Sequence, residues 1–142
     1  MKRLFAIFAA VVLSGCAVES TGLRPEQLTM SEHLRTERTL DMTFPEIQMV
    51  LFQHEDACGP GPVFKMKEGE TSFATVTEHD VENLPWNQAI IFDLKWLQPT
   101  LRYGTRTRVS VYSFYSDTEV KERIDAIFNA ISNPEACGDT ED

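Results

Sequence analysis

Ala89-Ile90-Ile91-Phe92-Asp93-Leu94-Lys95-Trp96-Leu97 is the stretch that decides the fold. Ile90, Phe92, Leu94 and Trp96 line one side while Asp93 and Lys95 point the other way, the period of a half-buried strand. Such a strand needs neighbours on both flanks. After a Pro99…Gly104 loop, Thr105 to Tyr115 repeats the alternation, with Thr107, Val109 and Val111 set against Arg106, Arg108, Ser110 and Tyr112. Upstream, Ser72 to Thr77 is rich in β-branched residues. Arg38 to Thr43 reads as a short first strand with Leu40 and Met42 on one face.

Two helices bracket these strands. Thr43-Phe44-Pro45-Glu46 is a helix start, with Thr43 as cap, Pro45 in the first turn and Glu46 completing a capping box. Ile47, Val50, Leu51 and His54 follow at helical spacing with Met49 and Phe52 flanking, until Gly59-Pro60-Gly61-Pro62 forbids continuation. Ser116-Asp117-Thr118-Glu119 opens the second helix in the same way, and Val120, Ile124, Ile127, Phe128 and Ile131 carry it to Asn133-Pro134. The order is strand, helix, strands, helix. An α+β fold follows, an antiparallel meander with both helices on one face.

The 142 residues allow one domain, and 42% hydrophobic residues suffice for a core. Thirteen Lys+Arg against 22 Asp+Glu give a net charge of −9, which argues against nucleic acid as a partner. Neither a repeat nor a low-complexity tract is present, so solenoid, collagenous and disordered readings fall away.

The N-terminus carries an address. Lys2 and Arg3 precede an uninterrupted apolar run from Leu4 to Leu13. As a helix that run spans about 15 Å, half a bilayer core, which is the length of a secretory h-region rather than a membrane span. Leu13-Ser14-Gly15-Cys16 closes it. These four residues resemble the lipobox of bacterial lipoproteins: Leu, two small residues that pass through the processing sites extended, and an obligatory Cys. A plain secretory peptide with an incidental Cys is the competing reading. The resemblance implies transfer of a diacylglycerol to the Cys16 thiol, cleavage between Gly15 and Cys16, and acylation (palmitate) of the new amino group. Three acyl chains exceed the two signals that stable anchoring usually needs. Ala17, where an Asp would favour inner-membrane retention, implies the outer membrane, facing the periplasm, for a Gram-negative source.

The expected organisation is a signal peptide over 1–15, a lipidated Cys and flexible tether over 16–37, and a periplasmic domain over 38–142. Loss of Lys2 and Arg3 leaves 11 basic against 22 acidic residues, a net −11, so lipid rather than charge holds the domain to an anionic surface. The tether is polar and turn-prone (Glu19, Ser20, Thr21, Gly22, Pro25) and would reach ~70 Å extended or ~25 Å as a coil. A short helix from Pro25 to Arg35, with Leu28, Met30 and Leu34 as an apolar face, is the alternative. The whole pattern is similar to small outer-membrane lipoproteins of proteobacteria, the lipobox being its one specific motif.

Once Cys16 is lipidated, Cys58 and Cys137 remain, each just past a helix and each followed by Gly; in an exported protein they are most simply one disulfide. With both helices along the strands, that bond requires them to run the same way and an odd number of strands between them. Three fit: Ser72–Thr77, Ala89–Leu97 and Thr105–Tyr115. Val63–Met66 is then an irregular lead-in rather than a fourth strand.

Chemistry is sparse. His54 and Cys58 stand four apart on a helix beside Glu55 and Asp56, but an oxidised Cys58 cannot ligate, so no metal is expected there. No P-loop, Gly-x-Ser-x-Gly, His-Glu-x-x-His or dinucleotide fingerprint occurs, and neither a catalytic set nor a cofactor is expected. Arg106 and Arg108, alternating along one strand with Tyr112, are candidate binding residues for a carboxylate or phosphate, although pairing with acids such as Asp93 explains them equally well. Trp86, beside Pro85, is a candidate contact residue. The expectation is a non-catalytic binding or accessory module of the envelope, engaging the membrane through lipid at Cys16 and an envelope protein through its surface. The alternative is an enzyme acting on peptidoglycan or lipid.

Overall fold

Thr43 and Glu46 close a reciprocal cap: Glu46 Oε2 accepts from Thr43 N at 2.6 Å while Thr43 Oγ1 accepts from Glu46 N at 3.4 Å. The computed structural model describes residues 22–79 and 85–138. In chain order these form α1 (Pro25–Leu28), β1 (Leu34–Leu40), α2 (Phe44–Cys58), β2 (Val63–Met66), β3 (Phe73–Thr77), β4 (Ile90–Leu97), β5 (Arg106–Ser113) and α3 (Thr118–Ser132). Short 3₁₀ turns at Ser31–His33 and Trp86–Gln88 precede β1 and β4. The strands make one antiparallel sheet in the order β1-β5-β4-β3-β2. The α+β expectation, with α2 and α3 on one face, is what forms.

The register explains the core. Val76, Phe92 and Val111 lie side by side across β3, β4 and β5, and Ala74, Leu94 and Val109 form the next row. All six are fully buried beneath Phe44, Ile47 and Leu51 of α2 and Ile124, Ile127, Phe128 and Ile131 of α3. The Phe92 and Phe128 rings meet at 4.9 Å, a tilted contact that adds to area burial. Thr107 is buried in the same face without an unmet hydroxyl, because its Oγ1 donates to Met42 O at 2.8 Å. α2 ends at Gly59, whose φ of 84° lies in the region L-residues disfavour, and Gly59 N donates back to Glu55 O at 2.9 Å. The cap of α3 sits one residue later than Ser116: Asp117 Oδ1 accepts from Val120 N at 2.9 Å.

Four expectations need correction. The first strand is Leu34–Leu40, not Arg38–Thr43, because Met42 and Thr43 already form the turn into α2. Val63–Met66 is a true strand, paired with β3 from Val63↔Thr77 to Met66↔Ala74, so four strands lie between the helices rather than three. The disulfide forms nonetheless: Cys58 and Cys137 are bonded, with Cα atoms 5.3 Å apart. The parity argument fails because β1 stands outside the meander. α2 carries the chain from the β1 edge of the sheet across to the β2 edge, and a turn beyond Ser132 (Ala136 N to Asn133 O, 3.0 Å) carries Cys137 the rest of the way.

The fourth correction concerns the tether. Residues 25–37 are folded onto the sheet rather than free, and of the proposed helix over Pro25–Arg35 only the first four residues are helical. Leu28 is fully buried on the sheet face opposite α2 and α3, against Ala89 and Ile91, with Leu23, Trp86 and Tyr112 around them. This second, smaller core makes the start of β4 buried on both faces. The signal peptide, Cys16 and the rest of the expected tether through residue 21 lie outside the described residues.

Candidate functional site

The face of the sheet without α2 and α3 holds the residues singled out for binding. Arg106, Arg108 and Tyr112 do share it, as their two-residue spacing requires, but they do not act together. Tyr112 and Trp86 are drawn into the Leu28 cluster, so neither is the free aromatic contact expected. Arg108 stands opposite Lys95, a like-charge pair relieved sideways: Arg108 Nε lies 3.8 Å from Glu37 Oε1, and Lys95 Nζ lies 5.7 Å from the Phe73 ring centroid. Glu37 also accepts from Ser110 Oγ at 3.0 Å. The Arg106 guanidinium covers Tyr103 at 4.2 Å, and its buried Nε has no hydrogen-bond partner. Asp93 pairs with neither arginine. It faces Ser110 and Thr75, and burial raises its pKa, with Lys67 opposing and Glu70 reinforcing the shift.

The largest cavity, about 530 Å³, is polar and bordered by Glu78, His79, Asp117, Glu119 and Arg123. Its two central groups are already matched. Arg123 Nε donates to both Glu78 oxygens at 3.0 and 3.1 Å, and Nη2 adds Gln88 O at 3.1 Å. Those hydrogen bonds to Glu78, with Glu119 and Asp117 nearby, hold the Arg123 pKa above its ordinary value against partial burial. This is a structural clamp from α3 to the end of β3. His54, the metal candidate, is equally committed: its Nδ1 lies 2.9 Å from Pro134 O, and its ring fills the space beside Gly61, where an added Cβ would approach Cδ2 to 3.1 Å. Cys58 is in the disulfide, and among the described residues no group of three or more His, Cys, Asp or Glu stands close enough to share a metal.

The feature with no internal use is an apolar groove along α2. Two hollows of about 380 and 290 Å³ adjoin between α2 and the edge strand β2, sharing Gln48 and Phe64. Phe44, Pro45, Met66 and Trp96 wall the first; Leu51, Phe52, Pro60 and Val63 wall the second. Met49, Phe52 and Met66 are each about half exposed or more along it or beside it. Sequence reading placed Met49 and Phe52 as flanking residues of α2 and left the groove unseen, since it exists only once β2 is a strand against that helix. Compared with protein-family models, curated proteins and solved structures, the chain finds no match.

Proposed function

We propose that the chain is a membrane-anchored, periplasm-facing lipoprotein of the outer membrane, whose domain is a non-catalytic binding or accessory module for an envelope protein. Anchoring is supported by Leu13-Ser14-Gly15-Cys16 directly after the ten-residue apolar run, with acyl chains on Cys16 as the attachment. The Cys58–Cys137 disulfide suits an oxidising compartment outside the cytoplasm. Among the described residues no helix is long and apolar enough to cross a membrane.

The observation that carries the binding role is the groove beside α2. Its apolar walls are satisfied by nothing in the domain itself, whereas the polar cleft and the basic face are occupied by their own ion pairs. A photo-crosslinking residue at Phe52, in cells carrying the full chain, should give one discrete adduct with an envelope protein. The same probe at Glu122, on the exposed side of α3, should not. An identical pattern from both positions overturns the binding role.

A further inference from the structure

We propose that the end of the domain where the described chain begins rests on the bilayer that holds Cys16, with Met30, Leu34, Phe114 and Tyr115 seated in its interfacial layer. This rests on the reading of Cys16 as lipidated and adds an orientation to it, which a lipid anchor alone leaves free.

Length is the first observation. Leu23 already packs beside Leu28, Ala89 and Ile91, so only six residues separate Cys16 from Gly22 and the fold. Six residues span at most about 20 Å. A domain of this size is roughly 30–35 Å across. A leash shorter than the body it holds cannot let the far side turn toward the membrane, so the Gly22 end stays near the surface.

What that end carries is the second observation. Met30, Leu34, Phe114 and Tyr115 are each more than a third exposed. They come from two loops clamped together: Arg35 Nε donates to Ser113 O at 2.9 Å and its Nη2 to Phe114 O at 3.1 Å. His33 lies 5.3 Å from Phe114, and Phe114 lies 5.1 Å from Tyr115, a run of rings held at the surface rather than in the core. Leu34 is opposite Tyr112, which belongs to the cluster that Leu23 enters, so patch and chain entry are continuous. Aromatic rings with polar edges are the side chains that membrane interfaces select. With a net charge of −11 on residues 16–142, the contact is apolar and insensitive to salt. The opposite end provides an internal control. Leu101 in the β4–β5 loop is fully exposed, yet it lies an eight-residue strand away.

The test uses the full lipidated chain in phosphatidylethanolamine–phosphatidylcholine vesicles, with one nitroxide on Tyr115→Cys or Leu101→Cys; the native cysteines are acylated or disulfide-bonded. The ratio of oxygen to aqueous nickel-chelate accessibility should rise several-fold on vesicle binding at position 115 and stay unchanged at 101. Adding Met30→Ser and Phe114→Ser should abolish the rise while the protein still floats with the vesicles. Equal ratios at 115 and 101, with acyl mass on Cys16 and flotation both present, overturn the docked orientation and leave the anchor standing. Spin–spin broadening at 115 assigns the patch to a second copy and overturns it too. Absence of both acyl mass and flotation removes the anchor, and this proposal with it.

Discussion

Replacing both bridged cysteines, Cys58→Ser with Cys137→Ser, should lower the stability of the domain by about 4–5 kcal/mol. The bond joins residues 79 apart, and freeing a loop of about 80 residues is worth roughly 4.5 kcal/mol at 25 °C in the chain-entropy account. The folded side adds little. Cys137 is exposed, and Cys58 Sγ approaches Pro134 O only to 3.9 Å. The turn that presents Cys137 keeps other ties, from Asn133 N to Asn129 O at 2.7 Å and from Ala136 N to Asn133 O at 3.0 Å, and His54 Nδ1 still meets Pro134 O. The fold should therefore persist, with the loss arising in the unfolded chain. In urea, with a slope near ~2 kcal/mol per molar, the midpoint should fall by about 2 M. The slope itself should steepen, because the uncrosslinked chain exposes more surface. Wild-type protein unfolded with reductant should give the same curve as the double variant. A loss below about 1 kcal/mol with an unchanged slope would refute the reasoning, since the bond would then be closing a loop that other contacts already close.

Leu28→Ala should cost about 2–4 kcal/mol by chemical denaturation, because Leu28 is the fully buried keystone of the second core; a tether residue would cost nothing. Asp117→Ala should cost about 1 kcal/mol, the usual value of a lost N-cap, with the fraying visible in hydrogen exchange at Val120. Asp93 tests the sign of a buried carboxyl. Burial raises its pKa in the folded state, so the native protein holds that proton more tightly than the unfolded chain does. Its contribution therefore favours folding at low pH and turns against it as pH rises through the window above the ordinary carboxylate value. Asp93→Asn should be more stable than wild type at pH 7, and the two should converge below the ordinary Asp pKa; a gain that grows toward low pH would contradict the burial argument.

The parts of the fold legible from sequence are those whose period survives because one face alone is buried. β5 and α3 alternate cleanly, and Thr43, Glu46 and Gly59 mark α2 at both ends. β1 was misplaced because an edge strand need not look amphipathic. Its core-side members include Arg38, whose guanidinium lies over Phe128 at 4.0 Å and reaches Asp125, doing with a charged side chain what a leucine would do elsewhere. β2 was missed because four residues at an edge, with two of them exposed, carry too little pattern. α1 is shorter still: one turn has no period, and its whole contribution is Leu28. That single contact also decides the fate of Trp86 and Tyr112. The two-residue spacing correctly put Arg106, Arg108 and Tyr112 on one face, but what covers that face comes from residues more than sixty positions earlier. The groove was illegible for the same reason, being a gap between two elements rather than a property of either.

The pairing of β1 with β5 has a consequence for how the molecule comes into being. Leu34 and Tyr112 are hydrogen-bonding neighbours from opposite ends of the described chain. A ribosome releases β1 first and β5 last of the strands, so the earliest strand has no partner until nearly everything else has been made. Such high contact order slows folding. Any chain arrested before Ser113 would present Leu34–Leu40 as an unsatisfied template for a stranger's backbone, and the charges at Arg35, Glu37 and Arg38 guard it during that wait.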